Sequence, residues 1–253
     1  MIFLLYQQSQ ANSLEYGDDN KLSVVNCPSD FYGEVFIPRS VTSIFGYNAS
    51  IYAFKKCKDS ISSLRFEENS EITNISKYSF YNTGLRSANM SECKHLTLLD
   101  TSTFDSCFYL ETVILPPNIS SIGWLCFYKD IKLTSIDLPD SLVTLISSSF
   151  SESGLTTISV SPNSKLEKLD LYCFSSTKIS SFFIPKSVKS LIAPFEDCSL
   201  KNITVDSNNQ NLKTDSKSLF SGKDNSTLVF VVQTFLGDYI VPDFVTKIDG
   251  KLN

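Results

Sequence analysis

The chain has 253 residues, 42 % of them apolar and 19 % charged, with a formal net charge of −5. That composition can build a core and argues against global disorder. The mild charge, with no basic cluster longer than Lys55-Lys56-Cys57-Lys58, argues against nucleic acid as a partner, since phosphate binding needs clustered Lys and Arg.

At the start, Met1-Ile2-Phe3-Leu4-Leu5-Tyr6 is apolar. It lacks a positive n-region and falls short of the roughly 7–15 apolar residues of a signal peptide. Residues 1–30 are read as an N-terminal cap or leader region. No run of eighteen apolar residues follows, so no transmembrane helix is expected.

From residue 31 the chain repeats. Phe54, Phe80, Phe104, Phe127, Phe150, Phe174 and Phe195 recur at gaps of 26, 24, 23, 23, 24 and 21 residues. Each rung opens with Leu-x-x-Ile-x-Leu or a close variant: Ile61/Leu64/Phe66, Leu85/Ala88/Met90, Leu110/Val113/Leu115 and Leu133/Ile136/Leu138, then Leu155/Ile158/Val160, Ile179/Phe182/Ile184 and Leu200/Ile203/Val205. The last two residues of that motif are two apart, which puts them on one face of a strand. A second apolar pair lies between motif and Phe, as in Ile119/Ile122 and Leu142/Leu145. In the first rung the pair Val41/Ile44 precedes its Phe by ten residues, so an insertion is expected around Gly46-Tyr47-Asn48. Pro38, Pro116, Pro139 and Pro185 end some strands directly, because proline cannot donate the next ladder bond. Other rungs have longer corners, as in Glu67 to Glu71.

A period of about 20–29 residues belongs to leucine-rich repeats, whose rungs bury their apolar side chains only by stacking. The expected fold is therefore a β-rich solenoid, a leucine-rich-repeat stack of about eight rungs with short turns or 3₁₀ segments and few or no long helices, the repeats covering 31–205. Residues 206–253 are read as a capping hairpin, with strands at Ser218-Leu219-Phe220 and Thr227 to Val232, and an incomplete last repeat opened by Tyr239-Ile240-Val241-Pro242.

The rungs resemble the BspA-like branch of leucine-rich repeats, of the surface-antigen type, most closely over Val35 to Cys57 and Phe182 to Cys198. The resemblance implies adhesion to host-cell or matrix proteins, a location at the cell surface or secreted, and no enzymatic activity. The weak leader leaves a cytoplasmic scaffold, or a fragment of a longer repeat protein, as the alternative.

The residues offer little chemistry. His95 is the single histidine, and no nucleotide-binding, Walker or zinc-protease motif occurs. No catalytic residue, cofactor or metal site is expected, and no Cys-x-x-Cys pair exists. Cys57, Cys107 and Cys198 fall three residues after the Phe, and Cys126 and Cys173 just before it. Neighbours within either column are two or more rungs apart, about 9 Å, beyond the roughly 7 Å that a disulfide spans. All five are read as free, structural thiols, with Cys27 and Cys93 left open. Six Asn-x-Ser/Thr sequons, at Asn48, Asn74, Asn89, Asn118, Asn202 and Asn225, are compatible with export. The candidate partner-binding face is the outward strand column Arg65, Asn89, Ile114, Asp137, Ser159, Phe183 and Thr204. It is rich in polar groups and sparsely charged, and Ile114 and Phe183 are its apolar exceptions.

Overall fold

The computed structural model describes residues 14–17, 20–222, 224–232 and 239–249; the apolar start Met1–Tyr6 lies outside them. The chain winds into a β-solenoid of about ten turns rather than eight, because both ends contribute partial turns to the eight full rungs. Among the described residues the only helical segment is one 3₁₀ turn, Lys55–Cys57.

Each rung has three sides. The long-strand wall is built by Gly33–Ile37, Ile61–Phe66, Ser87–Asn89, Thr112–Ile114, Ser135–Leu138, Thr157–Val160, Ser181–Ile184 and Asn202–Val205. Where these strands pair, they are parallel. The short-strand wall is a column of two-residue strands such as Leu98–Leu99, Ser121–Ile122, Thr144–Leu145 and Lys168–Leu169, also parallel. The third side carries the Phe column and is made of turns.

That third side explains why Phe recurs there. The seven rings are buried and stacked, with centroids between 4.6 Å (Phe54–Phe80) and 5.9 Å (Phe174–Phe195) apart and planes within 19° of parallel. Such offset stacks suit the ring quadrupole, and each buried ring contributes about 1.5–3 kcal/mol from desolvation. Phe230, from the C-terminal hairpin, closes the column edge-on against Phe195 at 5.7 Å.

The turns around the column share one backbone conformation. Two residues before and two after each Phe from Phe80 to Phe195, φ is positive: Tyr78 and Asn82, Ser102 and Ser106, Leu125 and Lys129, Ser148 and Glu152, Tyr172 and Ser176, Ala193 and Asp197. None is a glycine, so each costs roughly 1 kcal/mol or more of local strain. In return, three N–H groups of each rung from Phe80 to Phe174 donate to carbonyls of the next. Ser102, Phe104 and Ser106, for example, donate to Trp124, Cys126 and Tyr128 at 2.8, 2.9 and 2.7 Å. A net gain of about 1 kcal/mol per bond, added to ring burial, offsets the strain.

Three residues beyond each Phe lies a buried column of small polar groups. Thr83 Oγ1 is 3.3 Å from Cys107 Sγ, which donates to the Phe80 carbonyl; Thr177 and Cys198 repeat the arrangement against the Phe174 carbonyl. Asp130 occupies this column in the fourth rung. One carboxyl oxygen accepts the Cys107 N–H at 2.9 Å, while Oδ2 is buried without a partner, as are Ser149 Oγ and Ser153 Oγ. Burial, reinforced by nearby Asp105, holds the Asp130 carboxyl well above the usual range.

The cysteines require one correction. Cys107, Cys126, Cys173 and Cys198 are free and buried, as is Cys93, but Cys57 is not a free thiol: it forms a disulfide with Cys27, Cα atoms 6.0 Å apart. The distance rule compared cysteines within one column. Cys27 lies ahead of the first repeat, so the partner of Cys57 is one turn away rather than two. The bridge ties the N-terminal hairpin, Glu15–Tyr16 against Ser23–Asn26, to the first Phe turn. The insertion in that first rung is a small hairpin, Gly46–Asn48 with Ile51–Tyr52. At the other end, Leu212–Thr214, Ser218–Ser221 and Thr227–Val231 form an antiparallel sheet, extended in parallel by Lys247–Ile248.

Candidate functional site

The outward column of the long-strand wall is a real alignment in space. Phe36 pairs with Arg65, Arg65 with Asn89 and Asn89 with Ile114; further along, Asp137 pairs with Ser159 and Phe183 with Thr204. Strand alternation puts these side chains outside because their neighbours Leu64, Ala88, Ile136, Phe182 and Ile203 are buried.

The structure divides the seven residues. Arg65, Asn89, Ile114 and Asp137 line one shallow trough of about 510 Å³ across four consecutive rungs. Ser159, Phe183 and Thr204 lie outside it, and Phe183 is half-buried rather than fully displayed. Ile114 is 51 % exposed in the trough. The small residues Ser63, Ser87 and Ser135 and the short Thr112 complete the lining and account for its depth.

Sequence reasoning missed Glu34 and Glu111, which also line the trough. Glu34 holds Arg65 by a forked contact, Nε to Oε1 at 3.1 Å and Nη2 to Oε2 at 3.4 Å, while the guanidinium lies 4.9 Å from the Phe36 ring centre. Glu111 meets Arg86 at 3.4 Å. Both partners come from adjacent strands of the wall or their leading corners, 31 and 25 residues away in sequence. Only the repeat register could have revealed them.

The trough also sits at a break in the wall. Thr112–Ile114 closes the first four-stranded ladder, and Ser135–Leu138 begins a separate pair. Among the described residues no backbone hydrogen bond joins 110–115 to 133–138. Val113, on the lip of this break, is half-buried where its register mates Leu64, Ala88 and Ile136 are buried.

Elsewhere the surface offers less. His95 is exposed on a corner. Among the described residues no cluster of three His, Cys, Asp or Glu is placed to hold a metal ion, and no helix is long and apolar enough to cross a membrane. Burial raises the pKa of the free cysteines, which makes them poor nucleophiles.

Six copies of the BspA type leucine rich repeat region match the chain, over residues 31–130 and 97–227. The chain belongs to the BspA-type leucine-rich-repeat family. No curated protein matches it. Among solved structures it is similar to a leucine-rich cell surface protein of Faecalibacterium prausnitzii, with TM-score 0.68 and 18 % identity over 92 % of this chain and 63 % of that one. The pneumococcal vaccine antigen PcpA gives TM-score 0.55 and 21 % identity over 89 % and 53 %. A leucine-rich repeat protein of Eubacterium ventriosum gives TM-score 0.52 and 17 % identity over 84 % and 50 %. This BspA-type chain thus shares their fold and spans between half and two thirds of their lengths.

Proposed function

We propose that this BspA-type repeat protein is a non-enzymatic protein-binding module, a surface or secreted adhesin-like antigen that takes host-cell or matrix proteins on its long-strand wall. The observation that carries the reading is the trough, which brings Arg65, Asn89, Ile114 and Asp137 together over four rungs with an exposed isoleucine in its lining. An open recess of polar groups around an apolar contact suits a protein partner. The Cys27–Cys57 disulfide supports an exported location, because such bonds persist in oxidising compartments. The F. prausnitzii protein is a cell surface protein and the pneumococcal one a vaccine antigen, which supports the same reading.

Two experiments test this. Protease shaving of intact source cells should remove the chain while sparing a cytosolic control; survival until lysis would replace the adhesin by an intracellular scaffold. Purified protein should bind at least one of a panel of matrix proteins and host-cell extracts. Ser135→Trp, which fills the trough whatever the ligand's charge, should abolish that binding. Retained binding by this variant would move the site off the wall.

A further inference from the structure

The partner's chemistry can be read from what the trough leaves unmatched. Three carboxylates line it, and two already have cations: Glu34 is forked to Arg65, and Glu111 meets Arg86. Asp137 is exposed and, among the described residues, takes part in no salt bridge. It stands across the ladder break from Ile114, so a bare carboxylate and a bare aliphatic side chain face the same recess. Between them run strand edges that make no backbone hydrogen bond to each other.

Resting on the wall being the binding face, we infer that the partner segment inserts an arginine or lysine side chain into the trough at the break between 112–114 and 135–138. The aliphatic stem lies on Ile114 and the charged head pairs with Asp137. A long cationic side chain combines an apolar stem with a polar head, the combination this recess presents. An acidic segment would bring like charge against Asp137, the one carboxylate of the trough whose charge no cation offsets. A wholly apolar one would leave Asp137 desolvated and unpaired, which costs affinity.

The test uses the full chain and three fluorescein-labelled heptapeptides differing only at the centre: arginine between two valines, its neutral isostere citrulline, and glutamate. Fluorescence anisotropy is read at about 20 mM and about 150 mM salt, the higher salt screening surface charge. The arginine peptide should bind at least tenfold tighter than citrulline at low salt, and the glutamate peptide should not bind. Asp137→Asn should erase the preference for arginine over citrulline, and Ile114→Ser should weaken both. Circular dichroism should show the fold of both variants unchanged, since both side chains are exposed. Equal binding of arginine and citrulline, an intact preference in Asp137→Asn, or no binding of the arginine peptide would overturn the inference. The reading of the wall fails separately: if Ser135→Trp blocks protein ligands while Asp137→Asn changes nothing, the wall binds but not through a cation. If neither variant matters, both ideas fall.

Discussion

The turn side and the long-strand wall run along the same stack and are held differently. From Phe80 to Phe195 every rung joint on the turn side keeps its three backbone bonds and its ring contact. The long wall breaks twice, after 112–114 and after 157–160, and the short wall breaks once, between Asn74–Ile75 and Leu98–Leu99. No joint loses both walls: where one ladder stops, the other is intact. Cohesion is thus concentrated where side chains are most uniform, and the face we propose for recognition lies where the ladder is open. The same segregation of stable scaffold from adaptable binding surface is common in folded proteins.

Three perturbations would break or sharpen this contrast. The largest is Phe127→Ala, which opens a gap in the middle of the ring stack. It should cost about 3–5 kcal/mol and uncouple the rungs on either side, seen as an early, broadened transition in urea. Val113→Ala, on the lip of the wall break, should cost about 1 kcal/mol, because its side chain is already half in water. Equal effects would mean that the two sides share the load.

The second concerns Asp130, the weak point of the turn side. Its folded pKa lies well above the unfolded one, so as pH rises past the unfolded value the unfolded chain loses a proton that the fold retains. Stability from this group is full below the unfolded pKa and falls as pH rises toward the folded value. Asp130→Asn should therefore stabilise the protein by about 1–3 kcal/mol at pH 7 and by little at pH 3. Urea midpoints of both proteins at the two pH values check this, and an equal difference at both would rule the mechanism out.

The smallest effect has opposite signs on the two sides. Ser148 has φ of 56°, so Ser148→Gly should stabilise by about 1 kcal/mol through relief of strain. Ser135 lies in a wall strand, and Ser135→Gly should destabilise by about 0.5–1 kcal/mol. Thermal melts of the pair settle the sign.

Much of this architecture was legible beforehand, for a physical reason. Burying Phe and Leu at fixed register demands those residue types, so Phe127 and Leu145 announce themselves by period. The left-handed turns did not, since Tyr78, Leu125, Glu152 and Ala193 share a conformation but no chemistry, and backbone hydrogen bonds stabilise it. The outward column was legible by alternation, giving Arg65 and Asp137 together. The ladder break that isolates Asp137 was not, because Thr112–Ile114 and Ser135–Leu138 carry the same pattern as strands that do pair. Cys57 was misread because its partner lies outside the repeat.

The stacked parallel strands also make the molecule a ruler. Adjacent rungs of a parallel ladder are about 4.7–4.9 Å apart, so two rungs advance about 9.5 Å. A polyproline II chain advances about 3.1 Å per residue and returns to the same face every third residue, about 9.3 Å on. A left-handed extended segment laid along the stack would therefore meet every second rung with equivalent side chains, staying in step over several turns. An α-helix, at about 5.4 Å per turn, would drift out of phase within a few rungs. The spacing of the strands thus sets a selection rule for the conformation of whatever binds lengthwise outside.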